Sequence, residues 1–224
     1  EAFASDIQAK AHGEADPVVL KAVTEGAGPA VDWLAGHYGL AFTVVHDFSY
    51  PGHSARRMHG LASRSGAELI DRLRAAAEAA GIDIVTGAHV TGLVETPDSR
   101  VRGLVVTRPD GAQERIGCGA LVLACNGYGG NRALVAEHIP ALKDALYFGH
   151  PGNQGDAVLW GGALGAELRH MTGHQGHGSV AHPHGILISW AVVMEGGFQM
   201  NTEGRRFWNE ASGYSEAALA VLGQ

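Results

Sequence analysis

Two cysteines, Cys118 and Cys125, are all that 224 residues contain, and both sit in apolar or Gly-rich surroundings. That is too few for a disulfide scaffold and points to a reducing, cytoplasmic setting. No run of about 18 apolar residues occurs, so a spanning helix is not expected. The first residues, Glu1-Ala2-Phe3-Ala4-Ser5-Asp6, lack both a basic start and an apolar core, so no signal peptide is expected. They also lack an initiator Met, which suggests a chain that begins partway through a longer protein. Basic residues are in deficit: the formal charge is -7, which argues against nucleic acid as a main partner because phosphate binding needs basic surface.

What is present describes a globular chain. Hydrophobic residues make up 46% and charged residues 17%, enough for a sizeable core. Glycine, at 33 of 224, is about twice its usual ~7% share and punctuates apolar segments, as in α/β enzymes. Apolar spacings of three and four predict helices over Asp16 to Tyr38 and Gly66 to Ala80, closed by Gly39 and Gly81. Strands are predicted over Leu40 to Val45, Ile82 to Val85, His89 to Glu95 and Val101 to Thr107. The last pairs with Gln113 to Ile116 across Pro109-Asp110-Gly111. Ala120 to Ala124 is an unbroken apolar run, which predicts a strand covered on both faces. Helices are expected to start near Arg132 and at Gly155.

Gly26-Ala27-Gly28-Pro29-Ala30-Val31 has the look of a dinucleotide loop, with Asp47 beyond it. A working loop needs a buried strand before it and a small third residue. Here a helical pattern precedes it and Val31 takes the third place, so it reads as a helix junction. Ala124, Cys125, Asn126 and Gly127 are better placed, since bare backbone at the carboxyl end of a strand is where ligands bind in open α/β sheets. An ordinary Gly-rich turn is the alternative. Asp156, behind Gly155 at a helix start, could hold a ribose or ribityl hydroxyl, or act as a plain cap.

His170, His174, His177, His182 and His184 fall within fifteen positions. Intervening Gly and Pro, with no Cys or carboxylate among them, argue for a polar pocket lining or solvent-exposed histidines over zinc, and no metal is assigned. A zinc hydrolase would require stoichiometric metal. The densest stretch is Asn201 to Glu210, with adjacent Arg205 and Arg206, then Phe207, Trp208, Asn209 and finally Tyr214. A tyrosine can carry a proton where its phenolate is stabilised, and Arg205 or Arg206 could do that or simply form surface pairs.

In order along the chain, these segments resemble the fumarate reductase and succinate dehydrogenase flavoprotein superfamily. The resemblance rests on Val31-Asp32-Trp33-Leu34 with Gly39, on Arg57-Met58-His59, and on the Gly66 to Gly81 helix. It continues through Ala124-Cys125-Asn126-Gly127-Tyr128-Gly129-Gly130-Asn131 and Gly155-Asp156-Ala157, and ends on the Asn201 to Glu210 signature. It implies an α/β chain of FAD/NAD(P)-binding three-layer ββα fold, followed by the start of an α+β capping domain. Residues 1–171 would form the FAD-binding domain and 172–224 the start of the capping domain. The resemblance implies FAD, with Val90 and Asp156 at positions where relatives touch it.

Counting without gaps from Asp156, His177 falls on the family's substrate-binding His and Ser189 on its substrate Thr. Trp190 and Val193 replace a Glu and an Arg of the fumarate-type proton relay, and Tyr214 replaces the Arg acid. Arg206 completes the substrate-side candidates. Losing cationic groups removes what binds a carboxylate and delivers its proton. Tyr214 is instead similar to the tyrosine of the 3-ketosteroid dehydrogenase-like branch. The implied activity is FAD-dependent oxidation or reduction of a CH–CH bond beside a carbonyl in a bulky apolar ketone. Tyr214 would transfer the proton, and the partners would be a small-molecule substrate and an electron acceptor that the sequence does not name. A dicarboxylate or tricarboxylate dehydrogenase of the same family, or a degenerate flavoprotein acting as a binding module, are the alternatives. No G-x-G-x-x-G with a ribose-binding acid and no closing flavin segment are found, so an internal portion of a flavoenzyme is expected.

Overall fold

The computed structural model describes residues 1–224 except Phe48, Tyr50 and Ser99. In chain order it places α1 (Ala2–Lys10), α2 (Pro17–Tyr38), β1 (Thr43–Val44), β2 (His59–Gly60) and α3 (Gly66–Ala79). Then follow β3 (His89–Glu95), β4 (Val101–Thr107), β5 (Gln113–Gly117), α4 (Arg132–His138) and α5 (Asp156–Ala163). The last elements are β6 (Val180–Ala181), β7 (Ile186–Leu187), α6 (Ala191–Met194) and α7 (Tyr214–Leu222). Helices and sheets thus share the chain, as the α/β reading requires. No helix among the described residues is long and apolar enough to cross a membrane.

The chain divides into two compact units. The first comprises Glu1–Ile84 and His177–Ala217, the second Val85–Gly176 and Ala218–Gln224. In the first, Asp16 caps α2 by accepting from the Val18 and Val19 N–H groups, and Gly39 ends the helix at φ 68°. The glycines at 26 and 28 lie inside this unbroken helix, which runs through Pro29, so the segment is neither a phosphate loop nor a junction. Helix α3 ends in a Schellman turn: Ile82 N–H reaches the Ala77 carbonyl while Gly81, at φ 75°, reaches Glu78. Among the described residues, Leu40, Val45, Leu61, Trp190 and Ala217 are the buried hydrophobic side chains of this unit.

The second unit is organised on a β3-β4-β5 antiparallel meander. Its hairpin turn has Gly111 at φ 85°, with Arg108 N–H donating to the Ala112 carbonyl and Asp110 Oδ1 accepting from Ala112 N–H. A register shift between Val90 and Gly92 bulges β3, with Val90 opposite the buried Val106.

Three expected strands differ from the sequence reading. Leu40 to Val45 shrinks to the two residues of β1, and Ile82 to Val85 and Ala120 to Ala124 form no strand. Val122 is 84% exposed, the reverse of a run covered on both faces. The physical reason is pairing: a strand exists through its neighbours' N–H and C=O groups, and among the described residues none pairs with either run.

Two predictions follow from local geometry. A Cβ at Gly103 on β4 would lie 2.4 Å from the Ile116 carbonyl oxygen. Gly103→Ala is therefore expected to cost about 1–3 kcal/mol, read as a lowered urea midpoint. The Asp6 carboxylate of α1 accepts from Ser54 N–H at 2.9 Å, Ser54 Oγ at 2.8 Å and Arg57 Nη1 at 2.6 Å. The Ser54 N–H and hydroxyl lower its pKa most, burial opposes them, and Arg57 lowers it further, bringing it from 3.8 to about 2. With the folded value depressed, this tether contributes fully above pH 3.8 and is lost as pH falls through about 2. A carbon-13 titration of the Asp6 carboxyl is expected to show its midpoint near 2; a midpoint at 3.8 would contradict the clamp.

Candidate functional site

The substrate-side and cofactor-side candidates separate by unit. His177, Ser189, Trp190, Arg206 and Tyr214 all lie in the first, and Val90, Ala124, Cys125, Asn126, Gly127 and Asp156 all lie in the second.

In the first unit an aromatic cluster forms around Trp190, which is 1% exposed. The His177 ring stacks on Tyr214 with centroids 5.2 Å apart and planes at 22°. Trp190 meets His177 at 6.0 Å and Tyr214 at 6.3 Å edge-on, and Trp208 at 6.1 Å with the planes tilted by 57°. Glycine makes the stack possible. A Cβ on Gly178 would fall 2.9 Å from the carbonyl carbon and the Cβ of Ala217, so only Gly lets this segment lie on α7. Burial lowers the His177 pKa and favours the neutral ring. The Trp190 indole N–H is buried without a hydrogen-bond partner among the described residues.

The Asn201 to Glu210 signature is a folded scaffold. Asn201 Oδ1 accepts from the Glu203 and Arg205 N–H groups, and Gly204 takes φ 76° to close the turn. Arg206 donates through Nε at 3.0 Å and Nη2 at 2.5 Å to Glu210, whose other oxygen accepts from Gln199 N–H at 2.8 Å. Burial raises the Glu210 pKa, but Arg206 and the Gln199 N–H outweigh it and hold the carboxyl below its ordinary value. The Gln199 side chain accepts from Trp208 Nε1 at 3.1 Å and donates to the Gly178 carbonyl at 2.6 Å. Arg205 pairs with Glu203 at 3.5 Å, so each arginine is engaged by an acid. Asn209 caps the short turn before α7.

Tyr214 also borders a cavity of about 400 Å³ walled by Phe3, Ile7, Ala11 and Pro51. Its two strong cations are already paired, Lys10 with Glu216 and Arg57 with Asp6. His177, Ser189, Trp190 and Arg206 are not among its walls. The sequence reading missed Lys10 and Glu216, which pair across the length of the chain, and Ser179 and Gln199, whose roles come from the atoms they face in the fold. Only Gly178, flanked by His177, carried a legible hint of close packing.

In the second unit, Gly155 at φ 87° sits where a Cβ would strike Leu134 Cδ1 at 2.6 Å and Tyr128 Cβ at 2.8 Å. Gly130 N–H donates to the Asn153 carbonyl and Asn131 Nδ2 to the Gln154 carbonyl, both at 2.9 Å, so the two candidate loops are laced together. The half-buried Asp156 carboxylate accepts no hydrogen bond among the described residues. Asn126 lies at φ 63° with its Oδ1 on Gly127 N–H at 2.9 Å, and the main chain of Ala120 to Asn126 makes no hydrogen bond there. Open main-chain groups and an open carboxylate are the kinds of group that suit a flat, hydroxyl-bearing cofactor such as FAD. Among the described residues no group of three or more His, Cys, Asp or Glu could hold a metal ion. Neither cysteine is in a disulfide.

Gly178→Ala is expected to push His177 off Tyr214 and to cost about 1–3 kcal/mol. An altered near-UV circular dichroism spectrum with a lowered denaturation midpoint would show it. An unchanged spectrum would mean that the contact yields freely.

Comparison with known proteins places this geometry in a family. A "Probable fumarate reductase Ifc3" of Shewanella frigidimarina (strain NCIMB 400) is 31% identical over 224 residues, covering all of this chain and 38% of the relative. An NADH:fumarate oxidoreductase of Klebsiella pneumoniae (strain 342) is 25% identical over 225 residues, covering 99% of this chain and 24% of the relative. The chain therefore spans well under half the length of these curated relatives. Among solved structures, the open conformation of a flavocytochrome c3 fumarate reductase matches with a TM-score of 0.82 at 31% identity, over 100% of this chain and 39% of that one. The 3-ketosteroid-Δ4-(5α)-dehydrogenase of Rhodococcus jostii RHA1 shares the fold, with a TM-score of 0.74 at 20% identity over 96% of this chain and 48% of that one. The family model described as "FAD binding domain" matches residues 1–224, so the chain belongs to the FAD-binding flavoprotein family and FAD is its cofactor.

Proposed function

We propose that this chain is the working portion of an FAD-dependent oxidoreductase acting on a CH–CH bond beside a carbonyl, with a bulky, largely apolar ketone as substrate. One observation carries the reading: Tyr214 borders an apolar cavity of about 400 Å³ whose strong cations are both neutralised by carboxylates. Small-molecule pockets run from ~300 to 1,000 Å³, and a four-carbon diacid would fill only a fraction of this one. A diacid would also meet no uncommitted arginine or lysine in the wall.

Bound FAD supplies the two-electron exchange. Val90, the Ala124 to Gly127 main chain and Asp156 would hold it, the carboxylate taking a hydroxyl. Residues 1–171 would form the FAD-binding domain and 172–224 the start of the capping domain. Tyr214 moves the proton at its phenolic oxygen. Trp190 and His177 fix its ring by packing, so that the proton passes between the substrate carbon and the tyrosine. His177, Ser189 and Arg206, none of them a wall of this cavity, would reach the substrate next to Tyr214, Arg206 within its pair to Glu210. An electron acceptor completes the cycle. The two cysteines outside disulfides support a cytoplasmic setting.

A dicarboxylate substrate is the second reading, favoured by the fumarate reductases at 25–31% identity. In the intact flavoprotein, Tyr214→Phe is expected to leave flavin content unchanged and to slow turnover by about 10²-fold or more. Unchanged turnover removes the tyrosine from the chemistry. Flavin reduction by a 3-keto steroid, or flavin oxidation by fumarate, separates the two substrate readings.

A further inference from the structure

A short hairpin beside the aromatic cluster fixes how the candidate histidine presents itself to a ligand. Strands β6 and β7 pair Val180 with Leu187 and Ala181 with Ile186. The ladder extends one step further, where Ile188 N–H donates to the Ser179 carbonyl at 2.9 Å. The Ser179 hydroxyl then lies between two neighbours, 2.8 Å from the Ile188 carbonyl oxygen and 2.9 Å from His177 Nδ1.

A hydroxyl has one hydrogen to give, and a carbonyl oxygen can only accept. The Ser179 proton therefore goes to Ile188, and the hydroxyl oxygen must accept from His177. That requires the imidazole proton to sit on Nδ1. In the neutral ring, which burial favours, Nε2 then carries a bare lone pair. His177 is half-buried, and Nε2 makes no hydrogen bond among the described residues.

We propose that Ser179 is a positioning residue that locks His177 as a hydrogen-bond acceptor at Nε2, so that the site selects a ligand bearing a neutral hydroxyl or enol donor over a carboxylate. A carboxylate offers only lone pairs, and two acceptors facing each other repel unless one of them brings a proton. The proposal rests on the functional reading above only in giving His177 to the substrate. The tautomer itself belongs to the resting protein.

The test uses the intact flavoprotein labelled with nitrogen-15 histidine, observed by long-range proton–nitrogen correlation at neutral pH. His177 is expected to show a protonated Nδ1 and a lone-pair Nε2. Ser179→Ala should shift the proton toward Nε2, and Ser179→Thr, which keeps the hydroxyl, should restore the native pattern. Phenol, as a neutral hydroxyl donor, should shift the native Nε2 resonance, with at least about tenfold weaker response to fumarate at equal concentration. A native Nε2–H tautomer, an unchanged tautomer in Ser179→Ala, or a site that answers to fumarate and not to phenol would each overturn it. So would silence toward both probes. None of these readouts depends on turnover, so failure here stands apart from failure of the Tyr214 assignment.

Discussion

The close approach of Gly178 to Ala217 is the constraint on which the candidate site depends. Where a side chain would need to stand, the α7 backbone is already 2.9–3.0 Å away. That contact lays residues 177–179 against the first turns of α7. His177 is thereby stacked on Tyr214, and Ser179 is brought under the His177 ring. Trp190 seals the cluster from the side. The chemistry attributed to Tyr214 thus rests on a methyl group absent from Gly178, opposite Ala217 on the same helix as the tyrosine.

The polar half of the scaffold is built around Glu210, which is 1% exposed. A lone buried carboxylate would be costly, so its value lies in its two partners. Arg206 neutralises it, and the Gln199 N–H ties it to the segment whose side chain grips Trp208 and Gly178. Arg206, Glu210 and Trp208 of the signature are therefore parts of one brace. This accounts for charged and aromatic residues crowding a single loop, which a surface turn would not require.

Local physics was legible in the sequence, and distant pairing was not. The α2 and α3 helices, the β3 to β5 meander and its Pro109-Asp110-Gly111 turn follow from periodicity and turn chemistry, each settled within a few neighbouring residues. Ala120 to Ala124 has a strand's composition, but a strand is a property of at least two segments. The chain covers 39% of the flavocytochrome c3 chain that it matches, and no described residue pairs with this run. The same logic applies to the site. Tyr214 and His177 were found by their place in a family pattern, and the Asn201 to Glu210 stretch by its unusual content. Ser179 and Gln199 carried no signal, because a lone serine or glutamine acquires meaning only from the atoms it faces.

The division of labour between the two units has a consequence for how such a chain can vary. Every residue proposed for the flavin lies between positions 90 and 156, and every residue proposed for the substrate between 177 and 214. The stretch 157–176 separates them, with its own helix and turns. None of Trp190, Ser189 and Tyr214 takes part in the hydrogen bonds that lace Gly130 and Asn131 to Asn153 and Gln154. On the proposed assignments, substrate preference can drift under mutation without loss of the cofactor. On the same assignments, one cofactor cradle would serve substrates of different size and charge, with a few side chains on one segment deciding between them.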